Sequence, residues 1–226
     1  GFMQDVGRNF QSVEMLKEQI DVLAAYKFNA FHFHVTDNPG WRLESKKYRQ
    51  LNFPESMSRW PGKYYSQKEF KELVDYCYER KITLIPEFDL PGHSAAFRKA
   101  FGFETMSDPR AQPVLIDLID ELVSLVPPEK MPYIHLGTDE VWHSYEEPSP
   151  ILLPALMERV TKYHNRELIV WRQGYKIEGD SVSITQLWSS NGHPKPGHRY
   201  FDSRLNYLNH LDPLAGIPQL YFERIN

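Results

Sequence analysis

Short runs of apolar residues recur along the chain, and polar or turn-forming positions bound each of them. Runs of this length and composition are typical of strands that are buried on both faces of a sheet. They predict seven strands, at residues 2–6, 30–35, 82–88, 133–137, 168–171, 183–188 and 199–202.

Amphipathic stretches lie between most of these runs and predict helices. The first two show apolar residues at helical spacing, namely Val13, Leu16, Ile20, Leu23 and Ala24, then Phe70, Leu73, Val74 and Cys77. A capping box opens the second helix, because Ser66 can accept a hydrogen bond from the amide of Glu69 while Glu69 reaches back. Two further helices are predicted at residues 114–126, before a Pro-Pro pair, and at about 151–163.

Strands that alternate with helices predict an α/β fold with a parallel sheet. Seven strand candidates with little else between them favour a (β/α)8 TIM-type barrel, incomplete because the eighth strand is not visible in this sequence. An open doubly wound sheet is the rival fold, but no Gly-rich phosphate loop follows the first strand. We expect residues 1–226 to form a single barrel domain.

Composition narrows the classes of partner. The net charge is -4, so the chain has no basic excess with which to hold nucleic acid. Charged residues interrupt every apolar stretch before it reaches the length of a membrane span. The single cysteine, Cys77, excludes an internal disulfide and is expected to be an inert core thiol, which leaves the redox compartment open.

Polar side chains gather where the predicted strands end, which is where barrel enzymes carry their chemistry. Asp139 and Glu140 follow the fourth strand. Two close carboxylates repel each other, so one pKa should rise and yield a general acid near neutral pH. The alternative is a solvated pair at a helix N-terminus. His93 lies in a loop shaped by two prolines and a glycine, where it either orients a carboxylate or remains on the surface.

Two further groups have open interpretations. His32 and His34 lie on one face of a strand and, with Asp37, are compatible with a metal site. We favour a hydrogen-bonded pair in the barrel interior, because no other histidine pair lies suitably on later strands. Trp171 and Trp188 end successive strands and serve either as walls for a sugar or as barrel packing.

Four stretches together resemble the β-N-acetylhexosaminidases of glycoside hydrolase family 20, in the family's order and spacing. They are Gly-Phe-Met-Gln-Asp-Val-Gly-Arg-Asn-Phe (1–10), His-Phe-His-Val-Thr-Asp-Asn-Pro-Gly-Trp-Arg (32–42), Ile-Pro-Glu-Phe-Asp-Leu-Pro-Gly-His (85–93) and His-Leu-Gly-Thr-Asp-Glu-Val (135–141). The resemblance covers nearly the whole chain and is weakest after about residue 190. It implies an exo-acting hydrolase that releases terminal β-linked GlcNAc or GalNAc with retention of configuration.

The resemblance also implies a mechanism without a protein nucleophile, in which the 2-acetamido oxygen of the substrate attacks the anomeric carbon and forms an oxazolinium ion. By match, Glu140 is the general acid and then the base, and Asp139 holds the acetamido nitrogen. Asp37 and His93 match a relay that tunes the acid. Trp171 and Trp188 match the aromatic walls around the acetamido group.

Tyr207 matches the residue that binds the acetamido oxygen, and Asn209 stands where many members have Asp. The family's sugar-binding Arg would directly precede Gly1, and its last strand would follow Asn226. We therefore expect the chain to be part of a longer domain. The resemblance implies a glycan or amino-sugar glycoside as partner, no cofactor or metal, and a secreted, periplasmic or lysosomal location. It does not indicate the oligomeric state.

Two other functions remain as alternatives. One is a sugar-binding relative of this family without turnover, which would bind a thiazoline-type inhibitor but release no product. The other is a metal-dependent barrel hydrolase that uses His32 and His34, whose activity would be lost with a chelator.

Overall fold

The computed structural model describes residues 1–172, 182–189, 193–194, 196–204 and 208, and in them one sheet of eight strands. The strands are β1 (Phe2–Asp5), β2 (Ala30–Asp37), β3 (Gly40–Trp41), β4 (Thr83–Phe88), β5 (Tyr133–His135), β6 (Glu167–Trp171), β7 (Ile184–Leu187) and β8 (Tyr200–Asp202). All except β3 are parallel to their neighbours, and these seven confirm the seven predicted strands. The additional strand β3 is antiparallel to the end of β2.

The order of the parallel strands in the sheet is β1-β2-β4-β5-β6-β7-β8, so each strand pairs with the next parallel strand in the chain. This order, with helices between most of the strands, is that of a (β/α)8 barrel. The sheet curls into a partial barrel, as the sequence predicted. The carboxyl ends of all seven parallel strands therefore lie at one rim, where the candidate site is found.

The helices agree closely with the predicted ones. They are α1 (Val13–Ala25), α2 (Gln67–Glu79), α3 (Ala95–Phe101), α4 (Ala111–Val123) and α5 (Leu152–Glu158), which continues as a π-helical turn (Arg159–Tyr163). The capping box is present, with the Glu69 amide donating to Ser66 Oγ at 3.2 Å and the Ser66 amide donating to the Glu69 carboxylate at 2.7 Å. The short helix α3 was not predicted, and α4 begins and ends about one turn before the predicted 114–126.

Alternation along β2 divides the interior into two parts. Phe31, Phe33 and Val35 lie in the apolar core that the helices complete, for example with Leu16 of α1. The intervening histidines point to the other face of the sheet, towards the barrel axis. Burial raises the pKa of Cys77 to about 12, which fits the inert core thiol expected from the sequence. Within the described residues, no helix combines the length and apolar character needed to cross a membrane.

Candidate active site

Sheet register decides which ionisable side chains meet inside the partial barrel. His34 of β2 lies beside Glu87 of β4, and Glu87 lies beside His135 of β5. Side chains that are neighbours across adjacent parallel strands point to the same face of the sheet. These three residues therefore converge on the inner face although the chain separates them widely.

Glu87 is the centre of this buried group. Its Oε2 lies 2.8 Å from His32 Nε2 and 2.5 Å from His34 Nδ1, and its Oε1 accepts the indole N–H of Trp171 at 2.6 Å. His135 Nδ1 lies 3.4 Å from the same Oε1. Burial opposes the charge, but the field of His34 and the hydrogen bond to His32 outweigh it and hold the pKa of Glu87 well below its ordinary value.

His34 bridges two carboxylates. Its second ring nitrogen, Nε2, lies 3.0 Å from Asp37 Oδ2. Burial alone would lower the pKa of His34, but Glu87 and Asp37 raise it well above the ordinary value. His32 and His34 thus both contact Glu87 inside the partial barrel, in the interior position that the sequence predicted for this pair.

Asp37 connects the interior group to the rim. Besides His34, its Oδ2 lies 2.9 Å from an Arg8 guanidinium nitrogen and 3.5 Å from His93 Nδ1. Burial opposes ionisation of Asp37, but these three basic neighbours outweigh it and hold the pKa of Asp37 far below its ordinary value. Arg8, which follows β1, thus pairs with a carboxylate of the barrel interior.

His93 extends the connection to Glu140. The Nε2 atom of His93 lies 3.2 Å from Glu140 Oε2, on the opposite side of the ring from Asp37. Burial would lower the pKa of His93, but Asp37 and Asp139 raise it above the ordinary value. Asp37, His93 and Glu140 thus form one continuous series of polar contacts from the barrel interior to its rim.

The backbone after β5 turns sharply where the two carboxylates lie. Thr138 has φ of 82° and Glu140 has φ of 49°, a left-handed conformation that residues other than glycine seldom adopt. Such strain persists only where surrounding contacts impose it, and it is frequent at active sites. An ideal Cβ added at Gly92 would lie 2.6 Å from the carbonyl oxygen of Asp139, so the loop carrying His93 packs directly on this turn.

Asp139 and Glu140 have different surroundings. Asp139 lies largely buried, and burial, followed by the field of Glu87, raises its pKa to about 6. Its Oδ1 is buried without a hydrogen-bond donor among the described residues. The side chain of Glu140 is 37% exposed. The predicted rise of one pKa is confirmed, but it falls on Asp139, and burial contributes more to it than repulsion by Glu140 does.

A third carboxyl group, Asp89, lies behind this pair. Burial, followed by the charges of Asp139 and Glu87, raises the pKa of Asp89 well above its ordinary value. Its Oδ2 lies 3.9 Å from His93 Nε2.

Glu140 opens onto a cavity of about 260 Å³ at the rim. The cavity is lined by Asn38, His93, Ala95, Arg98, Glu140, Trp142, His143, Tyr145 and Glu146. A carboxyl group at the edge of an open cavity, in contact with an imidazole, is suited to exchanging protons with a bound molecule.

Residues 1–110 match the family model described as glycosyl hydrolase family 20, catalytic domain. Over these residues the chain is similar to the catalytic domain of this family. The matched residues include Arg8, Asp37, Glu87 and His93, four of the side chains that meet at the site.

Individual relatives extend the likeness beyond residue 110. The chain is 34% identical over 166 residues to the beta-hexosaminidase of Porphyromonas gingivalis, a match of 62% of this chain and 21% of that protein. It is 28% identical over 219 residues to the beta-N-acetylhexosaminidase of Cellulomonas fimi, covering 87% and 43%. The chitobiase structure of Flavobacterium johnsoniae has a TM-score of 0.76 at 27% identity, covering 96% of this chain and 39% of that one. The chain thus spans less than half the length of these family 20 relatives.

The aromatic residues predicted to contact sugar lie in different environments. Trp171 is 6% exposed, and its ring packs against His32 and His135 with centroid distances of 5.7 and 5.0 Å. Trp188 is half-buried, and its indole N–H donates to the Arg172 carbonyl oxygen at 3.0 Å. The other two predicted contacts, Tyr207 and Asn209, lie outside the described residues.

Sequence reasoning left several residues of the site without a role. Neither Glu87 nor His135 receives a role of its own from the sequence. Arg98 and Trp142 line the cavity but were not singled out. Only Trp142 carried a usable signal, since it follows Glu140 by two positions; the others depend on sheet register or on the unpredicted helix α3.

Proposed function

We propose that this chain forms the catalytic core of a retaining exo-β-N-acetylhexosaminidase that removes terminal β-linked GlcNAc or GalNAc by substrate-assisted catalysis. The observation that carries the proposal is the pairing of unlike carboxyl groups at the end of β5. Glu140 is open to the cavity and contacts His93, whereas Asp139 has a buried Oδ1 with no hydrogen-bond donor among the described residues. The match of residues 1–110 to the family 20 catalytic domain supports the same conclusion.

Glu140 moves protons in this mechanism. It donates a proton to the glycosidic oxygen as the bond between that oxygen and the anomeric carbon breaks. The acetamido oxygen of the substrate forms a bond to the same carbon, and this step gains rate because the nucleophile is already tethered. Ionised Glu140 then takes a proton from water as the water displaces the acetamido oxygen. The residue ends each cycle protonated, as it began.

Asp139 acts on the acetamido group. A buried acceptor without a donor costs about 1–3 kcal/mol, and a substrate N–H directed at Oδ1 would remove that cost. As the oxazolinium ion forms, positive charge grows on the same nitrogen. An ionised carboxylate in a largely buried position stabilises that charge more strongly than one in water would.

Asp37 and His93 hold Glu140 through both of its protonation states. Asp37 is kept ionised by Arg8 and His34, and it faces one ring nitrogen of His93 while Glu140 faces the other. The Nε2–H of His93 can donate to Glu140 when that residue is a carboxylate. This arrangement orients the acid and stabilises the charge it acquires after giving up its proton.

The remaining substrate contacts in the proposal come from the family likeness. Trp171 and Trp188 would bound the acetamido group, Tyr207 would donate to its oxygen, and Asn209 would contact the sugar. The natural partner would accordingly be a glycan or amino-sugar glycoside. The position of Trp171 beside Glu87 supports this, because the carboxylate fixes one edge of the indole.

The test is hydrolysis of an aryl β-N-acetylglucosaminide by the chain and by Glu140→Gln. The amide retains the size of the side chain but has no acidic proton, so kcat should fall by about 1000-fold. Glu129→Gln is the matched control, because Glu129 is an exposed residue in the loop before β5, at the opposite end of the same strand. Equal rates for the chain and Glu140→Gln would show that the acid is assigned wrongly.

Product configuration gives a separate test of the mechanism. Proton NMR during early hydrolysis should show the β-anomer of the released sugar first. A thiazoline analogue of the oxazolinium ion should bind and inhibit competitively. Initial appearance of the α-anomer would contradict participation of the acetamido group.

A further inference from the structure

The cavity beside Glu140 has an aromatic wall that the proposed chemistry does not use. Trp142 lines this cavity and is 75% exposed. Its backbone amide donates to the carbonyl oxygen of Glu140 at 3.0 Å, so the indole is attached closely to the acid. Single exposed tryptophans are common on protein surfaces, but this one borders a cavity together with a catalytic side chain.

The rest of the wall is held in place by several contacts. The rings of His143 and Tyr145 stack at 4.9 Å with an angle of 15° between their planes. The guanidinium of Arg98 lies 4.5 Å from the centroid of the Tyr145 ring and donates to the carbonyl oxygen of Glu104 at 3.1 Å. The wall is therefore preformed, which lowers the entropic cost of binding a ligand there.

We propose that this cavity binds the leaving-group sugar of the substrate, with a pyranose ring stacked on Trp142. The inference rests on the proposed function. The acetamido sugar would lie on the side of Asp139, and the glycosidic oxygen would lie at Glu140. The leaving group then continues from that oxygen into the cavity that Glu140 lines.

The size and chemistry of the cavity fit this occupant. A volume of about 260 Å³ lies just below that of ordinary small-molecule sites, roughly 300–1,000 Å³, and suits one ring better than an extended chain. Aromatic faces suit the apolar face of a pyranose, and polar groups at the edge suit its hydroxyls. The cavity supplies both, with Trp142 and Tyr145 as aromatic groups and Asn38, Arg98 and Glu146 as polar ones.

The experiment compares two substrates that share the acetamido sugar. One is the β-1,4-linked disaccharide of GlcNAc, whose leaving group is a pyranose, and the other is the β-fluoride of GlcNAc, whose leaving group is a single ion. For each substrate, the loss in kcat/KM caused by Trp142→Ala is measured as the value for the unmodified chain divided by the value for the variant. This loss should be about tenfold larger for the disaccharide than for the fluoride. Trp142→Phe should recover part of the difference, because it keeps an aromatic face.

Trp60→Ala is the matched control, since Trp60 is also an exposed tryptophan but does not line this cavity. It should leave the ratio between the two substrates unchanged. Equal losses on both substrates in Trp142→Ala, or no loss on the disaccharide, would overturn the leaving-group site while the proposed function stands. If the unmodified chain hydrolysed neither substrate, the proposed function would fail, and this inference with it.

Discussion

His93 presents one ring nitrogen to Glu140 at 3.2 Å and the other to Asp37 at 3.5 Å, so a single imidazole separates an exposed acid from a buried carboxylate. The two flanking groups differ in their freedom. Asp37 is fixed by Arg8 and His34, whereas Glu140 faces the cavity. His93 therefore links the buried carboxylate of Asp37 to Glu140, the residue that is proposed to exchange protons.

Replacement of His93 by Asn should separate this function from substrate binding. The variant loses the imidazole beside Glu140, so we expect kcat to fall by about 100-fold. KM should change by less than about threefold, because His93 is not proposed to hold the acetamido group. Steady-state hydrolysis of an aryl glycoside measures both constants. His193→Asn is the control, since His193 is exposed and does not line the cavity. An increase in KM with unchanged kcat would assign His93 to binding instead.

The pKa of Asp139 predicts an acidic limit to activity. Burial and the field of Glu87 raise this pKa to about 6, and only the ionised form can stabilise the developing positive charge. Because the ionised fraction falls as the pH drops through that value, kcat/KM at pH 5 should be about tenfold lower than at pH 7. The measurement is the pH profile of kcat/KM, which reports the free protein.

Asp139→Asn tests that assignment. The kcat/KM of the variant at pH 7 should be about 100-fold lower than that of the unmodified chain. Its residual kcat/KM should no longer decrease as the pH falls through about 6. Asp75→Asn is the control, because Asp75 lies on α2 with its side chain 48% exposed, and this variant should keep the decrease in kcat/KM near pH 6. If the decrease persisted in Asp139→Asn, it would arise from another group.

The seven parallel strands and most helices could be predicted from the sequence, because each is marked by the local pattern of apolar and polar residues. The capping box at Ser66 is an example, since both partners lie within one turn. The Glu87 group was not accessible, because its contacts depend on how β2, β4 and β5 align, and a shift of one residue would point Glu87 to the other face. The short helix α3 begins without a side-chain cap, so its start carries no local signal.

His135 should make the fold less stable in mild acid. Burial lowers its pKa to about 3, whereas an unfolded histidine titrates near pH 6.5. Between these values the unfolded chain binds a proton that the folded chain does not, so stability falls as the pH falls. From pH 7 to pH 5 this one residue should cost about 2 kcal/mol.

Urea unfolding of the chain and of His135→Gln at both pH values isolates this contribution. His34 has a raised pKa and acts in the opposite direction above pH 6.5, where its stabilisation fades as the pH rises, but it is common to both proteins. The unmodified chain should therefore lose about 2 kcal/mol more than the variant between pH 7 and pH 5. Equal losses would mean that His135 is not neutral and buried in the folded state.

The close approach of Gly92 to Asp139 predicts that one added methyl group at Gly92 would separate the loop that carries His93 from the turn that carries Glu140. A Cβ at Gly92 would lie 2.6 Å from the carbonyl oxygen of Asp139, and a backbone atom cannot yield as the end of a flexible side chain can. In Gly92→Ala the turn that carries Asp139 and Glu140 must move away from the loop that carries His93. A displacement near 1 Å in a catalytic geometry can cost about 100-fold, so we expect kcat to fall to that extent.

Gly102→Ala provides the matched comparison for this prediction. Gly102 has φ of 64° and no atom within 4 Å of an added Cβ, so alanine there meets backbone strain but no steric contact. That variant should lose about 1 kcal/mol of stability and keep its kcat, because Gly102 ends α3 away from the turn. If Gly92→Ala also retained full kcat, close packing of the two loops would not be needed for His93 to act on Glu140.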